Sequence, residues 1–205
     1  MIFATYLSGM FSIAMLIAVL TPLFAMQIAV LVPSLSKIFV RNAKFFALGV
    51  IAFMSLLLLG LSYLQYRTWL GHPLSKFFLP PYQSWDYFLT YVGSKFFAPY
   101  AISLVLAIIF FAALGVANKK FGERFFEREE IALIAISIFL VGHPGWIFYM
   151  VLAIATYLGL QIFYTIKYRG LPRVSMYYLW VPLALFVIIV MQWFVRLDAF
   201  KALKI

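Results

Sequence analysis

A chain of 205 residues that is 66% hydrophobic, with a net charge of +10, carries more apolar surface than a water-soluble fold of this size can bury. One membrane domain, residues 1–205, of about five to seven helices at roughly 20 residues per crossing uses the whole length, so no separate soluble domain is expected. The absence of cysteine excludes disulfides, thiolate metal sites and cysteine nucleophiles.

Residues 1–36 contain no Asp, Glu, Lys or Arg. With no basic segment ahead of this apolar start, a retained span is predicted over 8–31 and not a cleaved signal peptide. Pro22 lies inside that span and Pro33 closes it; a bundle can absorb the hydrogen bond that Pro22 removes. The uncharged run 45–66 supplies a second span, 45–65.

Residues 66–97 form the one long connection and are crowded with aromatic side chains, among them Trp69, Phe78, Trp85, Tyr87, Phe88 and Tyr91. Tyr and Trp favour headgroup depth, where the ring is buried and the polar atom stays wet, so 84–97 is predicted to be an interfacial helix that does not cross. A third span is expected over 98–117, with Pro99 in its first turn.

The uncharged run 131–166 is too long for one crossing: its 36 residues would reach about 54 Å as a single helix. His143-Pro144-Gly145-Trp146 breaks it into a short arm, 129–142, and a long arm, 147–167. A last span over 176–195 gives an all-α bundle of about six transmembrane helices plus the interfacial one. With both termini outside, the inner loops hold ten basic residues: Lys37, Arg41, Lys44, Lys119, Lys120, Arg124, Arg128, Lys167, Arg169 and Arg173. The outer segments hold six, namely Arg67, Lys76, Lys95, Arg196, Lys201 and Lys204, and the positive-inside rule selects this direction. Basic residues divided among every loop suit anionic headgroups as partners and argue against nucleic acid, which calls for one basic face.

Four of the six carboxylates fall in the inner loop 118–130. Were that loop helical, Glu123, Glu127 and Glu130 would share one face, an arrangement suited to proton transfer or a divalent cation. The plainer alternative is a charged collar with Lys119–Glu123 and Arg124–Glu127 pairs. Glu129 and Glu130 abut the apolar run directly, where a carboxylate is partly desolvated; Glu130, with Glu127 or Glu129 as partner, is the candidate catalytic set, and Arg124 or Arg128 is expected to pair with it. His143 and His72, each followed by Pro, read as turn residues, and no second His stands at ligand spacing, so no metal or cofactor site is predicted. Gln27 and Gln161, inside spans, are expected to make helix–helix hydrogen bonds.

The layout of residues 118–195 resembles the C-terminal half of type IV prepilin peptidases, a family of aspartic membrane peptidases. There a Gly-x-Gly-Asp motif opens a short membrane helix that runs to a Gly/Trp/Pro turn, and a long helix returns to a basic loop and a final span. Glu130 stands at the position of the motif aspartate, residues 142–146 (Gly-His-Pro-Gly-Trp) at the turn, and 167–173 with 174–182 at the basic loop and last helix. The motif glycines are absent, and residues 32–44, where the second catalytic aspartate would lie, contain no acid. An aspartic peptidase needs two carboxyls sharing one proton, so the resemblance implies the helix arrangement without the catalytic pair.

Three functions follow. The first is a non-catalytic scaffold or envelope-complex component of a bacterial inner membrane. The second is an intramembrane peptidase using inner-face glutamates. The third is a small transporter or ion pathway, for which a carboxylate, Lys or Arg at mid-depth would be needed and none is present.

Overall fold

The computed structural model describes residues 2–122, 126–169 and 175–194, with side chains except at 2–14, 33, 40, 128 and 192–194. All the regular structure among these residues is helical. The first helix, α1 (Ile2–Leu31), carries Pro22 in its interior, and α2 (Pro33–Gly71) begins two residues later with proline in its first turn. That proline suits a first turn because its missing N–H would have no partner there.

Helix α2 is bent. Asn42 leaves helical geometry at φ −113°, ψ 16°, and its Nδ2 donates to the Ile38 carbonyl at 3.0 Å. A side chain that bonds its own helix backbone offers an alternative to the regular ladder. Beyond the bend, Arg41–Gly71 is a 31-residue apolar helix of about 46 Å.

Residues 84–97 do not form a separate helix. Helix α3 (Trp85–Val92) passes through a π turn at 93–97 into α4 (Ala98–Lys120), so Trp85–Lys120 is one helical run of 36 residues, about 54 Å long. Both this run and α2 exceed the roughly 40–45 Å of a bilayer with its headgroups. Their ends at Tyr66–Trp69 and Trp85–Tyr91 are held together by an aromatic cluster: the Trp69 ring lies 4.8 Å from Tyr91 and 5.5 Å from Phe88, and Tyr66 stacks on Trp85 at 5.6 Å. Leu79, Phe88 and Val92 are buried beneath these rings, forming a second core remote from the main one.

The break at the His-Pro-Gly-Trp segment is where the sequence placed it. Helix α5 (Arg128–Val141) ends at Gly142, and α6 (Gly145–Tyr168) starts three residues later. Gly142 has φ 73° and ψ 170°, a region open in practice to glycine alone. The turn is pinned by the His143 amide, which donates to the Pro99 carbonyl at 3.2 Å, and by the Trp146 indole, which donates to His143 Nδ1 at 3.2 Å. Both His143 and His72 act within turns, His72 Nδ1 accepting from the Leu74 and Ser75 amides. The last helix, α7 (Trp180–Phe194), begins four residues later than the predicted 176, after a turn over 177–179.

Helix α5 is the centre of the molecule. It is only 14 residues, about 21 Å, yet it packs against α1, α2, α4, α6 and α7. Leu133, Ile134, Ser137, Ile138 and Leu140 are almost wholly buried, which explains why the helix is apolar on all sides. By contrast α2, α4 and α6 present Leu56, Ile108, Val151 and Ile162 outward, as helices facing lipid do.

Among the described residues, Arg41–Gly71, Trp85–Lys120 and Gly145–Tyr168 are long and apolar enough to cross a membrane, and Met15–Leu31 and Trp180–Met191 are shorter apolar helices. The described residues are thus all-α, with three helices long and apolar enough to cross a membrane. Gln27, expected to bond another helix, keeps its buried Oε1 without a hydrogen-bond partner among the described residues.

Candidate functional site

The loop 118–130 is not one helix. Helix α4 stops at Lys120, Gly122 takes φ 68°, and α5 starts only at Arg128, so the i, i+4, i+7 column of glutamates has no continuous helix to stand on. Glu123 and Arg124, and with them both collar pairs, lie outside the described residues. Asn118 closes the loop: its Nδ2 donates to the Phe126 carbonyl at 2.8 Å and its Oδ1 accepts from the Phe126 amide at 3.1 Å. This two-point clasp lets the chain reverse within a few residues while satisfying Phe126's backbone groups.

Glu127 and Glu130 form a capping box at the start of α5. Glu127 is the residue before the helix, and its amide donates to Glu130 Oε2 at 3.0 Å. The sequence signature of this box is a polar cap followed three residues later by Glu, ahead of an apolar run. The second oxygen, Glu130 Oε1, accepts from the Ser175 hydroxyl at 3.0 Å, across 45 positions in the chain. Ser175 Oγ in turn accepts from the Tyr177 amide at 3.3 Å. Glu130 is 2% exposed, so the carboxylate is buried with a donor on each oxygen.

Glu127 and Glu129 lie outside that buried point. With Ser36, Ser175, Tyr177 and Tyr178 they line a cleft of about 440 Å³ at the ends of α2, α5 and α7. Tyr177 precedes α7, and its hydroxyl is pushed above the usual tyrosine range, first by desolvation and then by the negative charge of Glu129, the Tyr178 side chain, Glu127 and Glu130. It therefore stays protonated beside the carboxylates. No group of three or more His, Asp or Glu side chains among the described residues is arranged to hold a metal ion.

The three glutamates named from sequence are thus brought to one end of the bundle, but in two roles: Glu130 inside the packing, Glu127 and Glu129 on the cleft wall. Asn118, Ser175 and Tyr177 were not identified from sequence. Their partners are remote or are backbone groups, and only the capping pattern Glu127–Glu130 left a local signal. Comparison with family models, curated proteins and solved structures gave no match.

Proposed function

We propose that this chain is a non-catalytic membrane scaffold, a component of an assembly in a bacterial inner membrane, with a prepilin-peptidase-like order of helices in its second half. The observation that carries this reading is the environment of Glu130. The residue at the position of the motif aspartate spends one oxygen on capping its own helix and the other on Ser175, tying α5 to the segment that leads into α7. A carboxylate used in this way holds helices together, whereas a peptidase centre needs a carboxyl free to exchange a proton with a second one. Six crossings with both termini outside complete the reading, supported by the ten-to-six division of basic residues, and the inner basic loops meet anionic headgroups.

A second reading, an intramembrane peptidase, draws on the cleft that brings Glu127 and Glu129 together beside a protonated Tyr177. One experiment separates the two. Full-length protein is extracted from native membranes in mild detergent, sized, and then incubated with leader-peptide substrates. The scaffold reading expects a complex heavier than the 23.5 kDa chain and no cleavage by wild type. Cleavage that is lost in Glu127→Gln or Glu129→Gln protein of unchanged thermal stability would overturn it in favour of the peptidase.

A further inference from the structure

A large groove, about 1200 Å³, opens between α2 and α4, with α5 as its floor. Its walls are lined by small residues, including Ala47, Ala107, Ala112, Gly115, Ala132 and Ala135, which leave space where larger side chains would close the helices together. Phe45, Leu48, Ile108, Phe111 and Val116 on its rim are exposed, so it opens sideways.

The two ends differ. At the end near the start of α5, the lining residues are Arg41, Lys44, Lys119 and Asn118. Arg41 and Lys44 flank the Asn42 bend, and Lys119 follows Asn118 in the last turn of α4. All three cations are exposed, and among the described residues no acidic side chain lines the groove. At the other end the lining ends at Ile51, Leu104 and Phe139. Ser103 is fully buried just beyond it, its hydroxyl shared between the Pro99 carbonyl at 3.0 Å and the Tyr100 and Phe139 carbonyls at 3.2 Å, the last of them on α5.

Its depth runs from Lys119 to Leu104 on α4, about 22 Å, and from Ile131 to Phe139 on α5, about 12 Å. One leaflet of hydrocarbon is about 15 Å, half of a core of roughly 30 Å. A transmembrane helix of a partner would need a track through the whole core. A blind apolar groove one leaflet deep, with three cations at its mouth, fits a lipid.

We infer that the α2–α4–α5 groove is a binding site for one anionic diacyl phospholipid, its acyl chains lying along the Ala and Gly lining and its phosphate held by Arg41, Lys44 and Lys119. This deepens the headgroup contact proposed above, naming one site where that reading has only a basic surface. The site is bounded by Asn118 and Ile131, so its mouth adjoins the loop that carries the glutamate cleft.

The test uses full-length protein in nanodiscs of phosphatidylglycerol and phosphatidylcholine with matched chains, followed by extraction and native mass spectrometry of retained lipid. Wild type should keep one phosphatidylglycerol in preference to phosphatidylcholine. Arg41→Gln, Lys44→Gln and Lys119→Gln should each weaken retention about fivefold, the effect of one cation near a headgroup. Ala112→Leu with Gly115→Leu fills the groove, and a Cβ at Gly115 meets no atom within 4 Å, so this variant should fold and lose the lipid. Retention unchanged in the filled variant but reduced by the Gln variants would overturn the groove site and leave the general headgroup contact standing. No preference for phosphatidylglycerol in wild type would overturn both. Filling that dissolves an oligomer without altering lipid retention would make the groove a protein interface and overturn the inference.

Discussion

A buried carboxylate is costly unless each oxygen finds a donor, and Glu130 finds one on either side of it. Its neighbours share the charge problem differently, through a tyrosine that resists ionisation. Because desolvation and the surrounding negative charge raise the Tyr177 hydroxyl, the folded protein keeps this proton at a pH where the unfolded chain has lost it. Folded protein then binds more protons than unfolded protein above about pH 10, the ordinary tyrosine value, and stability falls as pH rises. Tyr177→Phe removes this difference. We expect its unfolding midpoint to decline less steeply than wild type above about pH 10 and to match it at neutral pH. Parallel thermal melts over that range in detergent give the comparison; identical slopes would show that Tyr177 is not held protonated by its site.

Among the elements, the α5–α6 hairpin depends on a single backbone conformation. Gly142 stands at φ 73°, ψ 170°, with Tyr100 ring atoms 3.7 Å from where a Cβ would lie. Gly142→Ala forces a side chain into a region that costs of order 1–3 kcal/mol. Gly159, in the middle of α6, has ordinary helical geometry, and a Cβ added there would meet no atom within 4 Å. Gly159→Ala should therefore hold or raise stability, by up to about 1 kcal/mol, since alanine loses less conformational freedom in a helix. Unfolding of the two variants in the same detergent tests the contrast, and equal midpoints would mean that the turn does not limit stability. Gly145 is constrained in another way: an added Cβ would stand 2.8 Å from Val141 Cγ1, so this glycine lets α6 begin close against the last turn of α5.

At the scale of the whole molecule, the direction of the helices can be read by labelling. The chain has no native cysteine, so single cysteines report cleanly. Lys76 and Lys120 lie at opposite ends of the α2–α4 hairpin, and Arg169 follows α6; all three are exposed. Six crossings with both termini outside place Lys120→Cys and Arg169→Cys on one face and Lys76→Cys on the other. An impermeant maleimide should label the first pair from the cytoplasmic side only. Labelling of positions 120 and 169 from different sides would remove the short α5 crossing from the topology.

The helical class and some of the helix breaks were legible in the residues because they rest on local causes. Charge-free length, Pro33 and the Pro-Gly turn at 144–145 act within a few positions of themselves, and the structure has helix boundaries beside each. The same local reading separated 84–97 from the following span, yet Trp85–Lys120 is one run, and the aromatic side chains of α3 find partners on the C-terminal end of α2. Glu130 was visible as an acid next to an apolar run, but whether it faced water, lipid or a donor depended on Ser175, 45 residues away. The groove was still less accessible from sequence. Its small residues are ordinary in membrane helices, and they form a cavity only because α2 and α4 each lean on α5 without filling the space between them. Periodicity and turn chemistry act along the chain; a buried partner or an empty space depends on which helices meet, and that is settled by packing.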